Sequence, residues 1–228
     1  MTRIDEPRAA AEQWTRYLCG LRRVYPLLPD VLRPPASDAS IQKLESALGR
    51  TLPLEVAVLW KIHDGEREDS LGVIAGFQFL SVEKALSEWQ IWADLRATHT
   101  LRDLKKLGSL ATSLPRSAIQ RAYSCEGWLP LWKEPLESNY LGLDLSPGAG
   151  GLSGQIINFG RDEDDKVVLA SSLVDVLRWL VAEVESNHIV LCEKANQQGK
   201  RQPYLAHAKG RFLSILARGA RARLTAGK

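Results

Sequence analysis

The sequence of 228 residues lacks the features that mark disulfide-rich, membrane-spanning and secreted proteins. Its three cysteines, Cys19, Cys125 and Cys192, lie far apart without a CxxC pair, which indicates reduced thiols in a cytosol. No uncharged apolar run approaches the roughly 18 residues that a membrane span requires. No apolar segment follows the first residues, so a secretory signal is not predicted. We therefore expect a cytoplasmic protein without a membrane span.

Catalytic and cofactor-binding motifs are also missing from the sequence. The glycine-rich segment 148–154 is not followed by GK[ST], and Ser153 stands where a dinucleotide fingerprint needs glycine. Strand-like residues follow this segment, whereas a phosphate site needs the N-terminus of a helix. His188 and Cys192 have a metal-compatible spacing only on a helix, and two further ligands are not evident. We predict no catalytic residue, cofactor, metal or small-molecule substrate.

Helical patterns come first along the chain, and strand patterns follow. Apolar residues recur at helical spacing in three early segments, residues 7–23, 38–48 and 52–63. Strand character then dominates residues 141–145, 155–159 and 166–170, and a helix with a leucine-rich stripe begins at about Ser172. Residues 97–115 have a weaker pattern, that of a solvated helix or an excursion. This order predicts an α+β fold in which N-terminal helices precede an antiparallel sheet with its own packed helix.

Charge is divided unevenly along the chain. Residues 194–228 contain nine lysines and arginines and no acidic residue, whereas residues 1–193 contain 21 basic and 27 acidic residues. An acidic body therefore carries a basic C-terminal tail. Such a tail could contact nucleic acid or another anionic surface, and the alternative is a solvated terminus.

These observations divide the chain into three parts. Residues 1–37 are predicted to form an N-terminal helix and a proline-rich connector. Residues 38–193 form the α+β domain, and residues 194–228 form the basic tail. One domain with extensions is expected, because a chain of this length and apolar content buries one sizeable core.

Three sequence blocks carry a resemblance to a known family. The longest, residues 139–180, reads NYLGLDLSPGAGGLSGQIINFGRDEDDKVVLASSLVDVLRWL and is similar to the signature of the Smi/Knr family in the SUKH superfamily. The pair Leu52-Pro53 followed by LWKIHDG at residues 59–65 resembles the opening of that family. The segment WLPLW at residues 128–132 resembles its W-[IL]-P motif. Together the blocks span about residues 38–190.

The resemblance carries expectations about fold and function. It implies a single SUKH-like domain without catalytic residues. Bacterial members of the family are commonly immunity proteins that bind toxins, often nucleases, and fungal members are interaction hubs in cell-wall signalling. We therefore expect a non-enzymatic protein that binds a protein partner, foremost an immunity protein that neutralises a cognate, possibly nuclease, toxin domain. The alternative is a regulatory scaffold in cell-wall assembly or envelope stress signalling.

The candidate binding residues come from the charge pattern rather than from the family. Four consecutive carboxylates occupy a predicted turn: Asp162, Glu163, Asp164 and Asp165. They could attract a basic partner, and the alternative is a solvated β-turn that only reverses the chain. Trp132 and Tyr140 are predicted as neighbouring anchors, because aromatic side chains are enriched at binding hot spots.

Overall fold

The computed structural model describes residues 5–68, 71–135, 137–195 and 201–226, and it confirms the α+β class. The helices are α1 (Glu6–Val24), α2 (Leu28–Val31), α3 (Asp38–Leu48), α4 (Leu54–Ile62), α5 (Val82–Thr98), α6 (Leu101–Leu107), α7 (Leu173–Glu185) and α8 (Phe212–Ala226). The strands are β1 (Gln78–Phe79), β2 (Thr112–Leu114), β3 (Trp128–Lys133), β4 (Asn139–Asp144), β5 (Gln155–Gly160), β6 (Asp165–Ala170), β7 (Ile189–Ala195) and β8 (Arg201–His207). Among the described residues, none of the helices is both long and apolar enough to span a lipid bilayer.

The central sheet has six strands in the order β1-β3-β4-β5-β6-β2. All its pairings are antiparallel except that of β2 with β6, which is parallel. The exception differs from the all-antiparallel expectation. It arises because α5 and α6 carry the chain from the β1 edge to the opposite edge, so that β2 arrives in the direction of β6. A separate hairpin pairs β7 with β8.

One face of the sheet is covered by helices, and α1 is part of this layer. The stripe predicted for α1 is buried: Trp14, Tyr17, Leu18 and Leu21. This helix packs against α4 and α7, and α7 buries the predicted leucine stripe. Each large apolar side chain buried in this way contributes about 1.5–3 kcal/mol to stability. The N-terminal helix is thus a component of the main core.

The opposite face of the sheet carries a second, aromatic cluster. Its rings are Trp92 from α5, Trp128 from β3, Tyr140 from β4 and Phe159 from β5. Tyr140 and Phe159 stack with their centroids 5.5 Å apart. Alternate residues of β4, such as Leu141, enter the main core instead, as the period of two in a strand requires. The central strands are therefore covered on both faces.

The C-terminal region packs on the domain in the part of the chain that the structure describes. Part of the predicted basic tail forms helix α8, which lies against β6 and buries Phe212, Leu213 and Leu216. Strand β7 runs through position 194, where the basic tail was predicted to begin. The described residues of this region are therefore attached to the body through an apolar helix face.

The glycine-rich segment is a structural turn that follows the backbone of the loop at residues 117–118. The N–H groups of Gly148 and Gly150 donate to the carbonyl oxygens of Ala118 and Ser117 at 3.1 and 3.0 Å. These amides are already engaged, so they do not form an open anion cradle. A Cβ at Gly151 would lie 2.1 Å from the Ala118 oxygen, whereas one at Gly150 would lie 3.5 Å from its nearest neighbour.

Neighbouring glycines of this turn should therefore respond differently to alanine. Gly151→Ala should destabilise the protein by about 1–3 kcal/mol, because the loop at residues 117–118 must move away. Gly150→Ala is the matched control and should change the free energy of unfolding by less than about 0.5 kcal/mol. Urea unfolding of both variants measures the difference. Equal losses would show that the close approach does not determine the turn.

Candidate protein-binding surface

The predicted carboxylates lie on the turn between β5 and β6, and we call residues 161–165 the acidic turn. Asp162, Asp164 and Asp165 are exposed, and Glu163 is half-buried. The structure thus brings these four predicted residues together at one end of the sheet. The side chains of Asp162, Asp164 and Asp165 face solvent, whereas that of Glu163 is largely covered.

Two buried asparagines hold the acidic turn in one conformation. The Asn158 amide donates to Oε2 of Glu163 at 2.7 Å and to the carbonyl oxygen of Asp165 at 2.9 Å. Its own oxygen accepts a hydrogen bond from the N–H of Val167 at 2.7 Å. Asn139 accepts one from the N–H of Asp162 at 3.1 Å. Buried amides that are fully hydrogen-bonded specify geometry, so the turn is rigid.

A glycine lets the neighbouring loop close onto this turn. Gly160 has a φ of +148°, a backbone conformation that other residues rarely adopt. A Cβ there would lie 2.3 Å from the Ser138 oxygen. The next residue, Arg161, donates its N–H to that same oxygen at 3.0 Å. The loop between β3 and β4 therefore lies against the acidic turn.

A buried cation lies beneath the turn. The ammonium group of Lys166 is 2.8 Å from the Glu163 carbonyl oxygen and 5.3 Å from the ring centroid of Trp128. Burial lowers the pKa of Lys166, and the nearby Asp164 and Glu163 carboxylates oppose that shift. Lys166 thus ties the turn to the aromatic cluster below it.

The C-terminal region supplies two arginines to the same surface, one immediately before α8 and one within it. Arg211 donates through Nε and Nη2 to both oxygens of Glu134, and Nη2 also lies 2.9 Å from Oε1 of Glu163. Arg221 pairs with Asp165 at 3.6 Å. Burial would raise the pKa of Glu134, but the hydrogen bond and charge of Arg211 outweigh it and hold that pKa below its usual range.

The two predicted aromatic anchors lie in the interior. Trp132 is fully buried in the main core, and Tyr140 is 2% exposed in the aromatic cluster, where its hydroxyl donates to Glu88 at 2.7 Å. Burial and the Glu88 carboxylate raise the pKa of Tyr140. The expectation of surface anchors has to be corrected, because β3 and β4 are central strands with both faces covered. Neither ring can contact a partner while the domain is folded this way.

An exposed leucine precedes the segment that is hydrogen-bonded to the acidic turn. Thr112 donates its N–H to the Asp164 carbonyl oxygen at 3.0 Å and its hydroxyl to the Asp165 carboxylate at 2.9 Å. Leu110, two residues earlier, is 71% exposed. The sequence analysis did not identify Leu110, Glu134 or Arg211 as parts of this surface. In the sequence, only the opposite charges of the body and the C-terminal tail indicated that Arg211 could contact these carboxylates.

A cluster that could hold a metal ion lies at the C-terminal end of α7, among the residues that the structure describes. Oxygen and nitrogen atoms of Glu183, His188 and His207 lie within 4.8 Å of one another. However, Nδ1 of His207 accepts the N–H of Lys209 at 3.1 Å, so Nε2 carries the proton and donates to Glu183 at 2.9 Å. A ligating Nε2 needs a free lone pair, and therefore the observed hydrogen bonds fit a structural network better than a metal centre.

Fold and surface together define an α+β domain that presents a rigid acidic turn. The chain belongs to the SMI1/KNR4 family (SUKH-1), whose model matches residues 35–179. The resemblance noted in the sequence is thereby confirmed.

Named relatives within this family are fungal. The chain is 31% identical to the cell wall biosynthesis/cell cycle regulator smi1 of Schizosaccharomyces pombe, over 83% of this chain and 39% of that protein. It is 27% identical to the glucan synthesis regulatory protein of Neurospora crassa, over 90% and 44%. It is 27% identical to the cell wall assembly regulator SMI1 of Saccharomyces cerevisiae, over 74% and 39%. The chain thus spans about two-fifths of the length of these relatives.

Removal of the Arg211 side chain should loosen the contact between α8 and the acidic turn. Arg211→Ala leaves two partly buried carboxylates without their shared partner, and we expect a loss of about 1–2 kcal/mol in the free energy of unfolding. Arg218→Ala is the matched control on an exposed position of the same helix, with an expected change within about 0.5 kcal/mol. Urea unfolding at low salt measures both. Indistinguishable variants would contradict a role for Arg211 in holding α8.

The same contact should depend on pH in a defined direction. Because the pKa of Glu134 is lowered in the folded state, its contribution is complete above its unfolded pKa of about 4.3 and is lost as pH falls through the folded value. The stability difference between the wild type and Glu134→Gln should therefore be constant near pH 7 and shrink below about pH 4. Urea unfolding of both proteins across this range measures it. A difference that stays constant into acid would show that Glu134 is not ionically paired.

Proposed function

We propose that this chain is a non-enzymatic, protein-binding module that regulates cell-wall assembly, with the acidic turn as its partner-binding surface. Support for the process comes from relatives that are named as regulators of the cell wall or of glucan synthesis. Support for the mode of action comes from the rigid acidic turn. The predicted alternative, a regulatory scaffold, thus has more support than the immunity protein that was expected first.

The observation that carries the proposal is the fixed display of carboxylates at the end of the sheet. Asp162 and Asp164 are exposed on a turn whose backbone is already hydrogen-bonded to Asn139 and Asn158. A preorganised surface loses little conformational freedom when a partner binds. Its negative charge accelerates the approach of a basic partner and disfavours acidic ones.

Apolar contact must supplement this charge, because exposed ion pairs alone contribute little affinity. Leu110 is a candidate for this contact, because it is exposed and stands two residues before Thr112, which is hydrogen-bonded to the acidic turn. A partner that combines basic and apolar side chains fits this surface. In this proposal Leu110 makes the apolar contact with the partner that the buried Trp132 and Tyr140 cannot make.

Immunity against a basic toxin remains the second candidate, since the same acidic turn would suit a nuclease with a cationic active site. It rests on the role that the sequence resemblance implies for bacterial members of the family, whereas the names of the fungal relatives favour regulation. Rescue of cells from a toxin would be the corresponding readout.

A chimera tests the regulatory proposal directly. In the Neurospora crassa relative, the matching region is replaced by this chain, and the hybrid is expressed in a strain that lacks the relative. We expect restored cell-wall glucan content, and a large loss of rescue with Asp162→Asn/Asp164→Asn/Asp165→Asn. A control with equal charge change, Glu12→Gln/Asp30→Asn/Asp94→Asn, alters exposed carboxylates elsewhere and should rescue normally.

Protein levels of each hybrid are measured in the same cells. A wild-type hybrid that accumulates without restoring glucan would refute the regulatory function. Full rescue by the acidic-turn variant would instead show that the partner binds another surface.

A further inference from the structure

The described C-terminal region has the composition of a basic amphipathic ligand. Residues 201–226 contain six lysines and arginines and no acidic residue: Arg201, Lys209, Arg211, Arg218, Arg221 and Arg223. Within α8, Phe212, Leu213 and Leu216 are buried along one face. Helices of this kind bind by laying an apolar stripe on a surface while their cations meet carboxylates at its rim.

The carboxylates of Glu134, Glu163 and Asp165 hold α8 in this manner. Arg211 contacts Glu134 and Glu163, and Arg221 contacts Asp165. The Phe212 ring lies 5.8 Å from Phe77 and 5.4 Å from Trp179, measured between centroids. The chain's own helix therefore satisfies part of the charge that a partner would use.

The contacts of α8 change in kind along the part of it that the structure describes. At its start lie the double ion pair of Arg211, the residue immediately before the helix, and the aromatic contacts of Phe212. Beyond the buried Ala220, Arg221 is half exposed and lies 3.6 Å from Asp165, and Arg223 donates to the Leu169 carbonyl oxygen at 2.7 Å. Polar contacts of long, exposed side chains are the weakest attachments of a helix.

A cleft between α8 and the acidic turn gives access to these contacts. It has a volume of about 310 Å³ and is lined by the carboxylates of Glu163 and Asp165 and by Val167 on one side. On the other side lie Arg211, immediately before the helix, and Ala217, Arg218 and Arg221 within it. The cleft thus places the paired arginines and carboxylates of this contact at the protein surface, between α8 and the acidic turn.

We propose that the surface formed by Glu134, Glu163 and Asp165 accepts a basic amphipathic helix of a partner, and that α8 is an internal occupant which this helix displaces. The inference rests on the proposed function, because it names the chemistry of the partner that the acidic turn binds. The partner helix carries arginines at the rim and an apolar stripe towards the sheet, as α8 does.

Competition of this kind has a measurable consequence. The apparent affinity for a partner helix equals the intrinsic affinity multiplied by the fraction of molecules in which α8 is released. It is therefore low while α8 stays in place. Variants that weaken α8 without altering the carboxylates should therefore bind such a helix more tightly than the wild type. If α8 did not cover a binding site for the helix, these variants would show no gain in affinity.

The test uses the full-length protein and a fluorescent synthetic peptide with the sequence of residues 209–226. Anisotropy titrations at low salt compare the wild type with Arg211→Ala/Arg221→Ala, which should bind the peptide about tenfold more tightly. The control Arg8→Ala/Arg23→Ala has the same charge change on exposed positions of α1, outside the cleft, and should bind like the wild type. A peptide that carries the Arg211→Ala and Arg221→Ala changes should lose binding.

Addition of Glu134→Gln/Glu163→Gln to the tight-binding variant should abolish the gain. Circular dichroism and the thermal midpoint establish that each protein is folded. If the double variant unfolds, the single variant Arg221→Ala replaces it, with a smaller expected gain in peptide affinity. Equal affinity of wild type and folded variant for the peptide would overturn the inference. Because no cell-wall readout is involved, rescue by the chimera combined with absence of this gain would refute the internal occupant and leave the regulatory function intact.

Discussion

Burial of the central strands on both faces is the constraint on which the rest of the structure depends. Every residue of β4 and β5 is buried, including Asp144 and Gln155, which pair at 2.9 Å inside the sheet. Two strands of this kind cannot fold unless both faces are covered. The helical layer with α1 and α7 covers one face, and the aromatic cluster beneath α5 covers the other.

This constraint also determines where function can reside. With the faces of the sheet covered, partners can approach the ends of the strands and the outer surfaces of the helices. The acidic turn lies at such an end, and its rigidity is a by-product of the sheet, because Asn139 and Asn158 extend from buried strands to its backbone. The same burial places Trp132 and Tyr140 out of reach of a partner.

Ion pairs connect the acidic body of the domain with its basic C-terminal region. The acidic body and the basic C-terminal region were visible as separate features of composition, whereas in the structure they meet through Arg211, Glu134 and Glu163. Each carboxylate engaged in this way is shielded from other partners. Part of the charge of the acidic body is therefore neutralised within the molecule.

Much of the fold could be predicted from the sequence because it is encoded in local periodicity. The stripe of α1, the leucines of α7 and the strands on either side of the acidic turn follow patterns of 3.6 or two residues, which are visible without tertiary information. The position of a strand within the sheet is not encoded in local periodicity. Parallel pairing of β2 with β6 depends on where α5 and α6 deliver the chain, and residues 97–115 carried no pattern strong enough to show it.

The sequence by itself thus determined the α+β class, the family signature and the acidic turn, because short-range spacing and composition encode them. Only the tertiary structure decided which side chains surround that turn. It buried Trp132 and Tyr140, and it brought Arg211 from the C-terminal region to the carboxylates of Glu134 and Glu163. The physical reason is that exposure and ion pairing depend on contacts between residues far apart in the chain, which no local pattern records.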